Sequence, residues 1–345
     1  MRRFLLAALA LTGCAAQSSA VPQAARLPQA PSGLAPESCR EGDPLTVRFY
    51  DAGQALSALV ELPDGRRILV DAGESPKRSG CKVCADWHQR VISGLQRDTR
   101  GGSIDLLWVT HQHSDHMGGA PEIFASIRVH NYVDNGLELE KATVRRTREA
   151  AEEHGVVVHV VNPQSRRIPL GDTDNVKLRA IVPDAWPSSC KRTANDCSIG
   201  LRIDYCRSSL LFVGDAEKQL EAALDVEGPV TLLQVGHHGS DTSTTEAFLE
   251  KVKPRYAVVA SAKPDEGTNR RYCHPRQAVV ERLTRATGGP SSKKVLAFDG
   301  AAKCKPENAA SWSEVPTSER MWFTARDGEV VLETRGDGEM RRVGP

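Results

Sequence analysis

Thr110-His111-Gln112-His113-Ser114-Asp115-His116-Met117-Gly118-Gly119 is the stretch of this 345-residue chain on which its reading turns. It continues an apolar run, Leu106 to Thr110, that reads as a strand, and it sets four candidate metal ligands within six positions. In extended backbone, residues two apart face the same way. His111 and His113 can therefore share one ion, while Asp115 and His116 fall at the turn and can face a second. The paired glycines let the chain bend sharply there. Imidazole nitrogen with a carboxylate suits zinc first, with manganese or iron behind it.

Two further segments complete a constellation. Leu210-Leu211-Phe212-Val213-Gly214-Asp215-Ala216-Glu217 is an apolar run that delivers Asp215 at its end, and a carboxylate has two oxygens with which to bridge two ions. Leu232-Leu233-Gln234-Val235-Gly236-His237-His238-Gly239-Ser240 delivers a histidine pair in the same way. Loops at strand ends are where a rigid sheet presents chemistry. Around these segments, Leu45 to Tyr50, Leu56 to Leu62 and Arg67 to Val70 read as a β-meander. Further strands are expected at 106–110, 156–160, 176–182, 199–205, 210–213 and 231–235. Helices are expected at 83–96, 120–126, 137–154, 216–224, 244–252 and 275–286. No internal repeat or second linker is visible, so the chain is expected to form one domain over residues 41–340.

The start of the chain reads as an export signal. Met1-Arg2-Arg3, an apolar run from Phe4 to Leu11, and Thr12-Gly13-Cys14 follow the pattern of a secretory leader spanning 1–13. Its ending, Leu11-Thr12-Gly13-Cys14, resembles the lipobox of bacterial lipoproteins, which implies a lipid anchor at Cys14 and a place in the cell envelope. Residues 14–40, with Ala, Pro, Gln and Ser dominating from Ser18 to Pro36, form a flexible tether. Beyond Cys14 stand eight cysteines, Cys39, Cys81, Cys84, Cys190, Cys197, Cys206, Cys273 and Cys304, which an exported protein is expected to pair as disulfides. Proximity favours Cys81–Cys84 and Cys190–Cys197. A zinc ribbon at Cys81-Lys82-Val83-Cys84 would need a second Cys-x-x-Cys, and Cys190 and Cys197 are seven apart. The sequence contains no run of 18 apolar residues, so no membrane-spanning helix is expected. The net charge of +1 becomes −1 when the leader and its two arginines are removed, which excludes a global basic field for holding nucleic acid. Arg145, Arg146 and Arg148, Arg166 and Arg167, and Arg270 and Arg271 are candidates for local phosphate-binding patches.

The constellation resembles the metallo-β-lactamase superfamily, and within it the extracytoplasmic hydrolase domain of the ComEC competence protein family. The markers are Asp51-Ala52-Gly53-Gln54, Leu62-Pro63-Asp64-Gly65, Leu69-Val70-Asp71-Ala72-Gly73, the histidine motif, Gly214-Asp215-Ala216-Glu217, Val235-Gly236-His237-His238-Gly239-Ser240, and the later Asn269 and His274-Pro275. The resemblance runs over roughly residues 45 to 335 and implies an α/β fold, a four-layer αββα sandwich with a metal site at one edge, closing in a hairpin from about Trp322 to Thr334. Three departures stand out. Thr193-Ala194-Asn195-Asp196-Cys197-Ser198 holds no histidine where the superfamily usually supplies a third ligand to its first site, and His130, His154 and His159 lie too early to serve. Ala55-Leu56 follows Gln54 where many relatives carry Gly-Asp, which implies different substrate contacts. The many-helix membrane channel of the competence proteins is not among these residues, so DNA transport is not expected of them.

The resemblance and the residues together imply two divalent transition metal ions, zinc first and manganese second. His111, His113 and Asp215 are expected on one ion, and Asp115, His116, Asp215 and one of His237 or His238 on the other. His237, nearer the strand end, is the better ligand, leaving His238 to contact substrate. Asp71 is a candidate for orienting a ligand imidazole. Asp115, His238 and His274 are the candidates for a direct part in the reaction, His274 through transition-state stabilisation or protonation of the leaving group. Ions about 3.5–4 Å apart lower the pKa of a shared water from 15.7 toward about 7, which supplies a hydroxide nucleophile. The expected function is hydrolysis of a phosphodiester, in a small molecule or a nucleic acid. The alternatives are hydrolysis of a lactone, thioester, β-lactam or choline-phosphate ester on the same site, or a non-enzymatic envelope lipoprotein. No protein partner is predictable.

Overall fold

The computed structural model describes residues 43–299, 304 and 311–344, apart from 227. The expected leader, the tether, Cys14 and Cys39 lie outside the described residues. Strands β1 (Leu45–Phe49), β2 (Ala58–Glu61), β3 (Arg67–Val70), β4 (Ile104–Trp108), β5 (Val129–Asp134) and β6 (Val157–Val160) build one sheet. β7 (Val176–Ile181), β8 (Gly200–Tyr205), β9 (Ser208–Phe212), β10 (Leu232–Gln234) and β11 (Tyr256–Val259) build a second. β12 (Lys294–Phe298) and β13 (Trp312–Pro316) form a separate two-stranded sheet. β14 (Met321–Phe323) joins the second sheet beside β11, and β15 (Val330–Thr334) and β16 (Arg341–Arg342) join the first beside β1.

Alternation along the strands sorts side chains into three apolar layers. From β4, Leu106 and Trp108 face the second sheet, while Leu107 turns the other way. From β9, Leu210 and Phe212 face inward and Leu211 outward. Phe49 and Phe212 stack across the middle layer, ring centroids 6.0 Å apart. Helices Cys84–Thr99, Ala120–Ser126 and Ala142–Glu153 cover the outside of the first sheet through residues such as Val91, Leu95, Ile123 and Val144. Helices Lys218–Ala223, Glu246–Val252 and Gln277–Ala286 cover the second through Leu220, Phe248, Leu249 and Leu283. Each fully buried large apolar side chain contributes about 1.5–3 kcal/mol. The result is the expected four-layer αββα sandwich.

The two halves share a topology that no sequence repeat betrays. β1, β2 and β3 pair antiparallel, then β3, β4, β5 and β6 run parallel. β7, β8 and β9 pair antiparallel, then β9, β10, β11 and β14 run parallel. Parallel neighbours require crossovers, and the covering helices supply them. The carboxyl ends of β3, β4, β9, β10 and β11 open on the segments that begin at Asp71, Val109, Val213, Val235 and Ala260. A crevice at such ends is where open α/β sheets bind ligands.

Two expectations are corrected. The hairpin from Trp322 to Thr334 does not form: β14 pairs with β11 and β15 with β1, in different sheets, and a one-turn helix at Thr324–Asp327 carries the chain between them. The helix expected over 137–154 spans only Ala142–Glu153. Ala55 and Leu56 prove to be core residues, 1% and 0% exposed, and the Leu56 N–H donates to the Asp115 carbonyl at 3.1 Å. Three disulfides are described: the two expected on proximity, Cys81–Cys84 and Cys190–Cys197, and Cys273–Cys304. Cys206 is disulfide-bonded as well. Among the described residues no helix is long and apolar enough to cross a membrane.

Candidate metal centre

Hydrogen bonds made on the outer side of each histidine decide what its inner side presents. Asp71, buried at the end of β3, accepts from the Thr110 N–H at 2.7 Å, from Thr110 Oγ1 at 2.9 Å and from His116 Nδ1 at 2.7 Å. His238 Nδ1 donates to the Ala260 carbonyl at 2.8 Å. With both Nδ1 protons spent, the Nε2 atoms of His116 and His238 face each other at 3.2 Å as lone pairs. Thr110 Oγ1, having donated to Asp71, accepts from His111 Nδ1 at 3.2 Å. That turns His111 Nε2 toward His113 Nδ1, 3.0 Å away.

Asp215 stands between these groups. Its Oδ1 lies 3.1 Å from His116 Nε2 and 3.7 Å from His238 Nε2, while its Oδ2 lies 3.9 Å from His111 Nε2 and 3.8 Å from His237 Nε2. Asp115 Oδ2 completes the first cluster, 3.5 Å from His238 Nε2. Two groups of donor atoms lie within 4.8 Å of one another and could each hold an ion: Asp115, His116, Asp215 and His238, and His111, His113 and Asp215. Buried lone pairs and carboxylate oxygens so placed repel one another unless a cation joins them. Asp215 Oδ1 is buried and receives no hydrogen bond. The donor set therefore fits a pair of borderline transition ions.

The electrostatics point the same way. Burial works against charge on the His116 ring, yet Asp215 and Asp71 hold its pKa well above the ordinary imidazole value. Burial also opposes ionisation of Asp215, and His116, His238 and His237 overcome it, keeping its carboxyl well below its usual range. Burial lowers His111 and His274 well below the ordinary value.

Local backbone is strained to achieve this. Asp71, His237 and His238 adopt left-handed φ of 57°, 48° and 54°. Each such non-glycine residue costs on the order of 1–3 kcal/mol. Gly214, at φ 57°, passes so close to Thr110 that a Cβ there would sit 2.5 Å from Oγ1. Only glycine fits both requirements.

A profile described as the Metallo-beta-lactamase superfamily matches residues 50–263, a span from just after β1 to just past β11 that contains both donor clusters. The chain belongs to this superfamily. It is 27% identical to ComE operon protein 3 of Bacillus subtilis over 248 residues, 69% of this chain and 30% of that protein. It is 30% identical to Competence protein ComA of Neisseria gonorrhoeae over 257 residues, 72% of this chain and 30% of that one. Recombination protein 2 of Haemophilus influenzae is 28% identical over 243 residues, 69% and 26% of the two chains. These are competence proteins of the ComEC family, and the match takes in less than a third of the length of each. Among solved structures, a long form RNase Z from yeast aligns with TM-score 0.47 at 8% identity, over 87% of this chain and 50% of that one. The short form of human tRNase Z aligns with TM-score 0.40 at 18% identity, over 64% and 94%.

Within this superfamily fold the two adjacent histidines divide differently from expectation. His238, not His237, joins Asp115 and His116, with its Nδ1 held by the Ala260 carbonyl. His237 instead faces the Asp215 oxygen that His111 faces. Asn195, from the segment lacking a third histidine, lies against the His237 ring with Nδ2 3.4 Å from both ring nitrogens, and it donates to Glu217 Oε1 at 2.8 Å. Glu217 also lies 3.3 Å from His237 Nδ1. These supporting residues were missed in the sequence, although Glu217 closes the Gly-Asp-Ala-Glu marker and Asn195 lies within the Cys190–Cys197 loop. Glu74 was missed too. It accepts from Ser114, and burial beside Asp115 pushes its carboxyl up to about 7. His130 and His159 are occupied elsewhere, by Ser103 and Asn131. Arg148 and Arg166 are paired with Asp134 and Asp184, whereas Arg270 and Arg271 are exposed, form no ion pair among the described residues and lie just before His274.

Proposed function

We propose that the chain is a metal-dependent phosphodiester hydrolase holding two divalent transition ions, zinc first. His111, His113, His237 and Asp215 Oδ2 would hold one, and Asp115, His116, His238 and Asp215 Oδ1 the other. The observation that carries this reading is the pair of opposed Nε2 lone pairs on His116 and His238, each fixed from behind by Asp71 or Ala260. Such ions supply a nucleophile by acidifying water and act as Lewis acids on the ester oxygen. The chain's own residues do the rest. Asp71 and Thr110 hold the imidazoles in their ligating tautomers, an arrangement that raises ligand basicity. His237, with Asn195 and Glu217 behind it, supplies the position that the missing third histidine leaves open.

The choice of a phosphodiester rests on the rim. Exposed Arg270 and Arg271 offer charge to a phosphate, and Tyr272, 38% exposed with its ring 6.1 Å from that of His274, offers a face to a base. Two relatives carry competence or recombination in their names, which directs the choice toward nucleic acid. The test is a panel of chromogenic phosphodiester, lactone and β-lactam substrates with zinc-loaded and manganese-loaded protein. Phosphodiester turnover that disappears with chelation is expected. Inert phosphodiesters with cleavage of a lactone or β-lactam would replace this reading by the other ester class. We also propose export and lipid anchoring at Cys14 in the cell envelope. A Cys14→Ala variant should lose labelling by a fatty-acid analogue, and retained labelling would refute the anchor.

A further inference from the structure

Gln54, Asn269 and His274, far apart in sequence, meet around the backbone of Ala262. The Ala262 N–H donates to Gln54 Oε1 at 3.1 Å, and the Ala262 carbonyl accepts from Asn269 Nδ2 at 2.9 Å. Asn269 in turn grips the main chain of His274 from both sides, accepting from its N–H at 2.8 Å and donating to its carbonyl at 2.7 Å. Gln54, Asn269 and His274 are 1%, 0% and 5% exposed. The ring of His274 is thereby placed edge-on to His237, with centroids 5.4 Å apart.

The cluster also determines where the His274 proton resides. Gln54 Oε1 is committed to the Ala262 N–H, so the other terminal atom of that side chain, 3.4 Å from His274 Nδ1, is the amide nitrogen. An amide nitrogen can only donate. His274 Nδ1 must then accept, and the proton of the neutral ring sits on Nε2. The opposite tautomer would face two N–H donors at each other in a buried position. Nε2 makes no hydrogen bond with any described residue, so its proton is free to be given to a ligand.

We propose that Gln54 is a positioning residue that locks His274 in its Nε2–H tautomer, making that ring a fixed hydrogen-bond donor to an oxygen of the ester bound beside His237. The proposal rests on the hydrolytic reading above. It assigns His274 to stabilising charge on the substrate oxygen, a role that needs a donor already in place. It excludes a role in which His274 takes a proton through Nδ1.

The test is ¹⁵N NMR of the histidine side chains in the zinc-loaded full chain, with His274 assigned by its loss in His274→Asn, alongside kcat and KM on a chromogenic phosphodiester. The native chain should show His274 Nδ1 unprotonated and Nε2 protonated. Gln54→Glu keeps the size and the bond to Ala262 but places an acceptor against Nδ1. It should move the proton to Nδ1 and lower kcat about 100-fold, with KM, zinc content and melting temperature little changed. Gln54→Met, which removes both bonds, should give a mixture of tautomers and a smaller loss. A native ring protonated on Nδ1, or a Gln54→Glu variant with reversed tautomer and undiminished kcat, would overturn the proposal. A native chain that shows the Nε2–H tautomer but cleaves no phosphodiester would defeat the hydrolytic reading and leave the hold of Gln54 on the ring standing.

Discussion

Asp71 is where a single side chain decides most. Three buried donors, the Thr110 N–H, Thr110 Oγ1 and His116 Nδ1, converge on its carboxylate. Asp71→Ala would leave His116 free to turn and a backbone N–H unsatisfied, so zinc affinity should fall roughly 10–100-fold in a competition titration against a chromogenic chelator. Unchanged affinity would mean that the ring is held by packing alone. The residues of the centre that were legible in the sequence are those concentrated in short motifs, His111 to His116 above all, because strand and turn periodicity already says which of them share a side. The division between His237 and His238 was not legible. It depends on two successive left-handed residues and on the Ala260 carbonyl, just past the end of β11 and 22 positions away. Asn195 and Glu217 were hidden for a similar reason: their partners are brought to them by tertiary approach, and no local pattern announces it.

The loop carrying the histidine pair is anchored by a helix on the outer face of its own sheet. Glu221, from Lys218–Ala223, accepts from the N–H groups of Thr244 and Thr245 and from Thr245 Oγ1, and Thr245 then accepts from the Phe248 N–H to cap Glu246–Val252. Glu221→Ala strands several of these buried donors and should cost about 2–4 kcal/mol in urea unfolding. Glu221→Gln, which keeps one acceptor, should cost less. Equal stability of the alanine variant would show that the clamp is dispensable. The strands read correctly from the sequence are of two kinds: Leu45–Phe49 and Val176–Ile181 alternate in burial, whereas Ser208–Phe212 and Leu232–Gln234 are buried throughout and lie in longer apolar runs. Tyr256–Val259 was missed: a run of four apolar positions is too short to distinguish strand from helix. The hairpin expected over 322–334 came from the family resemblance, which does not say which sheet each arm joins: Met321–Phe323 pairs with β11 and Val330–Thr334 with β1.

Metal ligands in the proposed assignment come from both halves of the sandwich. His111, His113, Asp115 and His116 follow β4 of the first sheet, whereas Asp215, His237 and His238 follow β9 and β10 of the second. Ions bound there would staple the two sheets at the edge of their shared core, adding about 2.7 kcal/mol of stability when free metal stands at 100 times its dissociation constant. Chelation should therefore lower the melting temperature of the native chain, and it should do so far less once Asp215, the only residue assigned to both ions, is gone. The repeated topology explains how such a site arises: each half directs the carboxyl ends of its parallel strands to the same crevice. The most direct measurement is the metal content of the purified full chain by mass spectrometry, native and as Asp215→Ala. Two transition ions per native chain and fewer than one in the variant are expected; a native chain that binds none after zinc loading, or a variant that keeps both, would contradict the account.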